Sequence, residues 1–462
     1  MPTSPNTDRH PATDGVQPRV HAMSTRHMIL NLFFYNPQGD YRFSWRHPDA
    51  PEAEIFTLNY YASLARKAEA ATLDAIFVAD HIAVWDTVPS GLTHYANARL
   101  EPLTLLSSLA AVTEHIGLMA TASTSYNEPY NLARYFASLD FLSNGRASWN
   151  VVTSWLEEEA ANFGLEQLPR HGTRYQRASE FIDVVTRLWD SWEDGAAIFD
   201  KAHGLFADAG KVHHLDYQGE YFRVRGPLNV PRPPQGHPLL VQAGSSEAGK
   251  ALAAWSDMHF VFIHSIAEGL AYREEMNQRL RQHGRDPAHF KIIAGVLPVV
   301  VNSSEEKAAR QQLNEQLMSD QMAIDLLSSY LRMDLSTLPR DQPLPPLPDE
   351  ESFDGIRTAL KLIRQYDPRL TLLELGKLLL QSSDSWLLLG SAEEIAAALT
   401  ETWQAGAADG FNLMFPLLPG DFDRFVDQVV PILQRNGVMR DRYPPGTLRE
   451  KLGLPAVENR FT

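Results

Sequence analysis

The feature that most constrains the fold is one repeated unit, a short apolar β-rich run followed by a longer helical pattern. Eight such units can be counted between residues 28 and 434. The apolar runs, such as 28–34 and 75–79, are continuous rather than alternating, which is typical of parallel strands covered by helices. The repeat therefore predicts the α/β class, and eight units favour a closed (β/α)8 TIM barrel with insertions over an open doubly wound sheet.

Four segments fall outside the repeat and define the expected organisation around a barrel at 28–440. Residues 1–27 are rich in Pro, Thr and Asp and contain no apolar stretch of the signal-peptide kind, so we interpret them as a disordered leader. Translation starting at Met1 and at Met23 both fit. We further expect a hairpin insertion near 211–228, a helical insertion near 305–385 and a C-terminal arm at 441–462.

Composition excludes several classes of protein. The 462 residues contain no Cys, which excludes disulfides, thiolate metal sites and cysteine nucleophiles. A net charge of −16 argues against nucleic acid as the main partner. No apolar run approaches the roughly 18 residues that a membrane span requires. We therefore expect a cytoplasmic protein with a small-molecule substrate, no membrane partner and no bound metal.

Polar residues at the carboxyl ends of the predicted strands are the first candidates for a site, because barrel enzymes place their active sites there. Asp80 follows the second strand, where a helix or loop cap is the competing interpretation. The third strand runs into the small polar loop 121–124, which lets a flat ligand approach the backbone. The fourth strand, 149–154, carries polar residues as well, but a purely structural role in the core is the competing interpretation. His171 and Tyr175 begin a helix, where an anionic ligand or a purely structural role would fit.

Residues 244–250 nearly match the phosphate-binding template G-x-x-x-x-G-K-[ST]. The position after Lys250 is Ala251, so the magnesium-binding hydroxyl is missing and a nucleoside triphosphate is disfavoured. A Gly-Ser-Ser turn before a helix still offers backbone amides and two hydroxyls to a phosphate. Ser246 as an ordinary helix N-cap is the alternative. No G-x-S-x-G nucleophile elbow and no G-x-G-x-x-G dinucleotide fingerprint is present in the sequence.

Several longer motifs occur together and in a characteristic order. They are 101–106 (EPLTLL), 120–130 (ATASTSYNEPY), 149–154 (WNVVTS), 242–246 (QAGSS) and 411–414 (FNLM). With them, the chain from about residue 28 to 454 resembles the bacterial luciferase-like flavin monooxygenases. Within that family it is most similar to the subgroup of nitrilotriacetate, dibenzothiophene-sulfone and long-chain alkane monooxygenases.

The resemblance implies a two-component enzyme that uses dioxygen and reduced FMN. A separate NAD(P)H:flavin reductase would supply the reduced FMN, either by direct contact with this chain or only through free diffusion of the flavin. It implies a homodimer or homotetramer. It also implies that Asp80, Thr121 and Ser123 lie beside the flavin ring, that Ser154, His171 and Tyr175 line its ribityl–phosphate side, and that Ser245 and Ser246 hold the phosphate. No residue stands out as an essential acid or base.

The substrate side is less defined, and our candidates for substrate contact are Phe34, Asn36, Trp85, Asn97 and Trp155. Trp85 and Trp155 replace the smaller aromatic groups of the alkane-type relatives, and this aromatic content favours an apolar, heterocyclic or organosulfur substrate. If the helical insertion brought Arg332, Arg340 or Lys361 to the substrate pocket, an anionic substrate would be favoured instead. Two other functions fit the sequence, a deazaflavin-dependent oxidoreductase on the same fold and a non-catalytic flavin-binding protein.

Overall fold

The computed structural model describes residues 27–85, 91–244, 246–347, 360, 363–381 and 386–462. Its centre is a ring of eight parallel strands, each hydrogen-bonded to the next, and the last pairs with the first through Ile29 and Gly410. This closed ring confirms the (β/α)8 barrel. The strands are β1 Ile29–Phe34, β2 Ala75–Val78, β3 Gly117–Ser123, β4 Ala147–Val152, β5 Leu239–Gln242, β6 Met258–Val261, β7 Lys291–Val300 and β8 Gly410–Leu413.

Helices follow the strands and cover the outside of the ring. They are Leu58–Ala70, Pro102–Ala110, Pro129–Leu142, Glu157–Asn162, His171–Asp190, Glu247–Ala253, Ile266–Gln282 and Ala392–Gln404, with the short helix Gly91–His94 between the first two. After β8 the chain forms Gly420–Arg424, a π-helical turn at Phe425–Val429 and Val430–Arg435. The first of these helices begins at Leu58, because the Thr57 side chain caps it by accepting a hydrogen bond from the Tyr60 amide.

The long connection after β7 holds three described helices, Ser304–Leu317, Asp320–Leu331 and Leu372–Gln381. It ends in a strand that the sequence analysis missed, Trp386–Gly390, which pairs in parallel with the second half of β7. This strand is only partly buried, unlike the eight strands of the ring, and it extends the sheet outside that ring. The predicted leader, apart from His27, lies outside the described residues.

Two small antiparallel hairpins lie between the helix His171–Asp190 and β5. One pairs Ala197–Asp200 with Leu205–Ala207, and the other pairs Tyr217–Gln218 with Arg223–Val224. The second lies within the segment 211–228. No described helix is long and apolar enough to cross a bilayer.

The last residues of the chain pack under the amino-terminal ends of the strands. The helix Leu448–Lys451 places Leu448 against Gly117 at the start of β3. Arg449 forms a bidentate ion pair with Asp257, which precedes β6, at 2.9 and 2.8 Å, and its side chain is only 4% exposed. The segment 441–462 therefore closes the end of the barrel opposite the strand carboxyl ends.

We expect Arg449→Ala to lower the free energy of unfolding by about 3 kcal/mol, because it leaves the Asp257 carboxylate buried without its partner. The measurement is the midpoint of urea unfolding, followed by circular dichroism. Arg369→Ala is the control, since the Arg369–Asp367 pair is 88% and 44% exposed and its loss should change stability by less than about 0.5 kcal/mol. Equal effects of the two substitutions would contradict this role of the arm.

Candidate active site

A cavity of 370 Å³ opens at the carboxyl ends of the barrel strands. Its floor is made by aromatic rings that β1, β2 and β6 send toward the barrel axis. Phe33 of β1 packs edge-to-face on Phe77 of β2 at 4.9 Å between centroids, and Phe260 of β6 lies 5.4 Å from Phe33. Met414, directly after β8, also lines the cavity. The inner end of the cavity is therefore apolar and closed to bulk water.

Polar groups line the side formed by β3, β4 and β5. The Asn150 amide donates a hydrogen bond of 2.9 Å to the Thr121 hydroxyl, while the Asn150 Oδ1 is buried without a hydrogen-bond partner. Close by in the chain, the hydroxyls of Ser123 and Ser154 are 2.9 Å apart. Ser154 has a φ of +59°, a conformation that costs energy for a residue other than glycine and tends to occur at functional sites. The structure thus places Thr121 in the cavity wall and brings Ser123 and Ser154 together at the ends of the same two strands.

The loop after β5 joins this cavity to a second polar group, which we call the β5-loop cluster (His171, Tyr175, Gly244 and Ser246). Ala243 lines the cavity, and a Cβ on Gly244 would lie 2.8 Å from the Tyr175 hydroxyl. The rings of His171 and Tyr175 are 4.6 Å apart, and His171 Nε2 lies 3.3 Å from the Ser246 hydroxyl. Three sequence-predicted residues therefore meet here.

Two further observations concern the same loop. Ser246 is also the N-cap of the helix Glu247–Ala253, because its hydroxyl accepts a hydrogen bond from the Gly249 amide at 3.1 Å. The helix-capping role that the sequence offered as an alternative is therefore present in the structure. Lys250 pairs with Glu275 at 2.8 Å and is already engaged by a carboxylate. Ser245 lies outside the described residues.

Asp80 and His81 follow β2 and are both shifted in pKa by burial. Burial raises the pKa of Asp80 to about 7, against the opposing influence of Arg99. Burial, helped by Arg99 and Arg42, lowers the pKa of His81 to about 3. Asp80 lines the cavity, and near neutral pH its carboxyl exchanges a proton while the His81 ring stays neutral.

The substrate candidate Phe34 lies on the opposite face of β1 from the cavity. Its ring packs against Tyr61 of the first barrel helix at 6.0 Å, in the core between strands and helices. Successive side chains of a strand point to opposite faces, so Phe33 lines the cavity and Phe34 does not. The expectation of substrate contact at Phe34 is therefore wrong by one position.

The other four candidates lie at or beside the cavity. Trp85 and Trp155 line it, with their rings edge-to-face at 6.2 Å. Asn97 accepts from the Trp85 amide at 2.7 Å and donates to the Gly91 carbonyl at 3.0 Å, so its amide holds the loop that carries Trp85. Asn36 accepts from Arg99 at 3.3 Å and lines a small pocket behind Trp85.

Several cavity residues were not identified from the sequence. Arg42 and Tyr35 come from the loop after β1, and Tyr330, Leu379 and Leu380 come from two helices of the long connection. A lone Arg in a loop and a Tyr within a helical pattern carry no local signal. We call the helices Asp320–Leu331 and Leu372–Gln381 the cover helices. Among the described residues, no group of His, Asp or Glu is arranged to hold a metal ion.

Known proteins resemble this chain over most of its length. The family described as Luciferase-like monooxygenase matches residues 40–409. The N-acetyl-S-(2-succino)cysteine monooxygenase of Bacillus subtilis (strain 168) is 44% identical over 90% of this chain and 95% of its own. Nitrilotriacetate monooxygenase component A of Aminobacter aminovorans is 41% identical over 93% and 97%. The crystal structure of DmoA from Hyphomicrobium sulfonivorans superposes with a TM-score of 0.82 at 31% identity, covering 92% of each chain.

We expect Asp80→Asn to stabilise the ligand-free protein at pH 8 and to change it little at pH 4. Between the ordinary Asp value of 3.8 and the folded value of about 7, the folded protein keeps a proton that the unfolded chain loses, so stability falls as pH rises. Asn cannot ionise and avoids this loss, which is on the order of 2 kcal/mol for a partly exposed group.

The measurement is urea unfolding of both proteins at pH 4 and pH 8. Asp49→Asn serves as the control, because that carboxylate is 83% exposed and its replacement should matter little at either pH. A stability difference between wild type and Asp80→Asn that is the same at both pH values would contradict the shifted pKa.

Proposed function

The chain belongs to the luciferase-like monooxygenase family, and from that premise we propose that it is the oxygenase component of a two-component system. It is a monooxygenase, as its relatives at 39–44% identity are named. In the proposed reaction, reduced FMN and dioxygen place one oxygen atom on a small organic substrate, and the second atom leaves as water.

The observation that carries this proposal is the continuity between the cavity and the β5-loop cluster. A closed aromatic floor leads past Thr121 and Asn150 to Ala243, and from there into Gly244 and Ser246. This sequence of apolar, amide-bearing and hydroxyl-bearing surfaces fits a flavin, which has a flat ring system, a polar ring edge and a phosphate. The buried Asn150 Oδ1 without a partner offers an acceptor to that polar edge.

The β5-loop cluster suits a phosphate monoester better than a nucleoside triphosphate. His171, Tyr175 and Ser246 supply donors within one loop-and-helix junction, and Ser245 joins them in the proposal on the strength of the family resemblance. Lys250, which a triphosphate site would need, is held by Glu275. We therefore assign the FMN phosphate to this cluster, with Ser154 along the ribityl chain and with Asp80, Thr121 and Ser123 beside the ring.

A bound reduced flavin supplies the activation of dioxygen, and the protein contributes positioning and the exclusion of water. Phe33, Phe77 and Phe260 close the floor. Tyr330 and Leu379 bring the cover helices over the opening. Asp80, with its pKa near 7, is placed to hold or release a proton at its carboxyl oxygen during turnover.

The partner and the assembly belong to the proposal as well. The nitrilotriacetate relative is named as one component of its enzyme, which supports a separate NAD(P)H:flavin reductase, and a homodimer or homotetramer in the cytoplasm stays a prediction. The deazaflavin alternative gains no support from the structure of an F420-dependent secondary alcohol dehydrogenase, because that protein is only 14% identical and shows a shared fold alone. A non-catalytic flavin-binding protein would not need the enclosing cover helices.

We expect the protein to bind FMN in preference to FAD, and Tyr175→Phe to weaken FMN binding about tenfold by removing one donor to a charged group. Tyr221→Phe is the matched control, because its hydroxyl lies outside the β5-loop cluster and makes an exposed contact with Gln176 at 3.4 Å. Isothermal titration measures both variants. Tight FAD binding without FMN binding would overturn the assignment.

We further expect no NADH oxidation by this chain alone with FMN, since the sequence contains no dinucleotide fingerprint. Adding an NADH:flavin reductase should start NADH consumption and, with ¹⁸O₂ and a suitable substrate, give products two mass units heavier than those formed with ¹⁶O₂. Sustained NADH consumption by the pure chain would contradict the two-component proposal.

A further inference from the structure

Arg42 brings a positive charge into the cavity from the loop after β1. The Asp40 amide donates to the Phe415 carbonyl at 2.7 Å, which fixes this loop against the chain after β8. On either side of Arg42, Tyr41 and Phe43 are 8% and 1% exposed and stack at 5.0 Å. With its two neighbours anchored in the core, Arg42 lines the cavity.

Aromatic rings surround the Arg42 guanidinium. Its central carbon lies 3.9 Å from the ring centroid of Trp85, 5.6 Å from that of Tyr95 and 5.8 Å from that of Tyr330. Such contacts orient a guanidinium by its flat faces. Tyr330 also forms a side-chain hydrogen bond with the guanidinium. Because a guanidinium has five N–H donors along its edge, this one bond does not use all of them.

No carboxylate forms an ion pair with Arg42 in the parts of the chain that the structure describes. Asp80 lines the same cavity, yet it does not pair with Arg42. The charge is also felt by a neighbour, since it contributes with burial and Arg99 to the low pKa of His81. An enclosed cation with no carboxylate partner among the described residues is costly unless another group supplies the opposite charge, and a bound acid can do so.

We propose that Arg42 binds a carboxylate of the substrate, and that the substrate is therefore a small organic acid whose apolar remainder lies among the aromatic side chains of the cavity. This inference rests on the proposed function, since it assigns the second occupant of the flavin-binding cavity. A guanidinium matches a carboxylate with two parallel hydrogen bonds, a geometry that an ammonium cannot reproduce.

The barrel topology keeps this anion separate from the proposed phosphate site. In a ring of eight strands, β5 lies four positions from β1 in either direction, so the loop that carries Arg42 and the loop that carries Gly244 stand on opposite sides. Aromatic content alone favoured an apolar substrate. The structure adds one cation to that apolar surface, which favours acids with an apolar remainder over neutral molecules.

The test compares benzoate with its neutral isostere benzamide, titrated calorimetrically into flavin-free protein in phosphate buffer so that the β5-loop cluster is already occupied. Wild type should bind benzoate at least about tenfold more tightly than benzamide. Arg42→Gln should remove this preference, and Arg42→Lys, which keeps the charge, should retain part of it. Arg332→Gln is the matched control, since Arg332 lies near Trp155 but contacts Glu157 at 3.5 Å, and it should keep the full preference.

Three results would overturn the proposal. The first is equal binding, or no binding, of the two probes by wild type. The second is a preference that survives in both Arg42 variants, and the third is its loss in Arg332→Gln. Should Arg42→Gln leave the preference intact but weaken FMN binding, Arg42 would instead serve the flavin. Titration of wild type with FMN tests the proposed function separately. FMN binding can fail while the preference for benzoate stands, and the preference for benzoate can fail while FMN binds.

Discussion

The closed parallel ring imposes a single rule on the side chains of its strands, because every second residue must face the barrel axis and the residues between must face the helices. In β1 the rule sends Leu30, Leu32 and Phe34 outward into the helix-facing core, and Ile29 and Phe33 inward. The same alternation in β2 and β6 brings Phe77 and Phe260 to Phe33. The apolar floor of the active-site cavity is thus a direct consequence of closure.

Closure alone would leave the carboxyl ends of the strands open to water. The cover helices provide the missing surface, and they can do so because they approach each other closely at Gly376, where a Cβ would lie 2.6 Å from the Ala323 carbonyl oxygen. At the other end of the barrel, the C-terminal arm is held by the buried Arg449–Asp257 pair. The cavity is therefore enclosed by segments far from the strands in sequence.

Enclosure changes the electrostatics of the groups that remain inside. Burial raises the pKa of Asp80 to about 7 and lowers that of His81 to about 3, so both side chains carry less charge near neutral pH than they would at the surface. Arg42 cannot respond in the same way, since a guanidinium does not lose its proton in proteins. Its charge is accommodated by aromatic faces and, as we propose, by the carboxylate of the substrate.

The sequence by itself determined the features that depend on neighbours along the chain. Continuous apolar runs and helical spacing predicted the barrel, and the eight parallel strands close into a ring in the structure. Residues directly after strands, such as Asp80 and Thr121, could be placed at the cavity because the ends of parallel strands meet at one edge.

Only the tertiary structure decided what depends on contacts between distant segments. Every residue of β1 is buried, so its apolar pattern does not reveal which face is inside, and Phe34 was chosen where Phe33 lines the cavity. Arg42 and Tyr330 are 288 positions apart in the numbering and meet only because the cover helices fold back over the loop after β1. Local patterns record the burial of a segment, whereas the identity of its partner across the cavity is set by the packing of the whole chain.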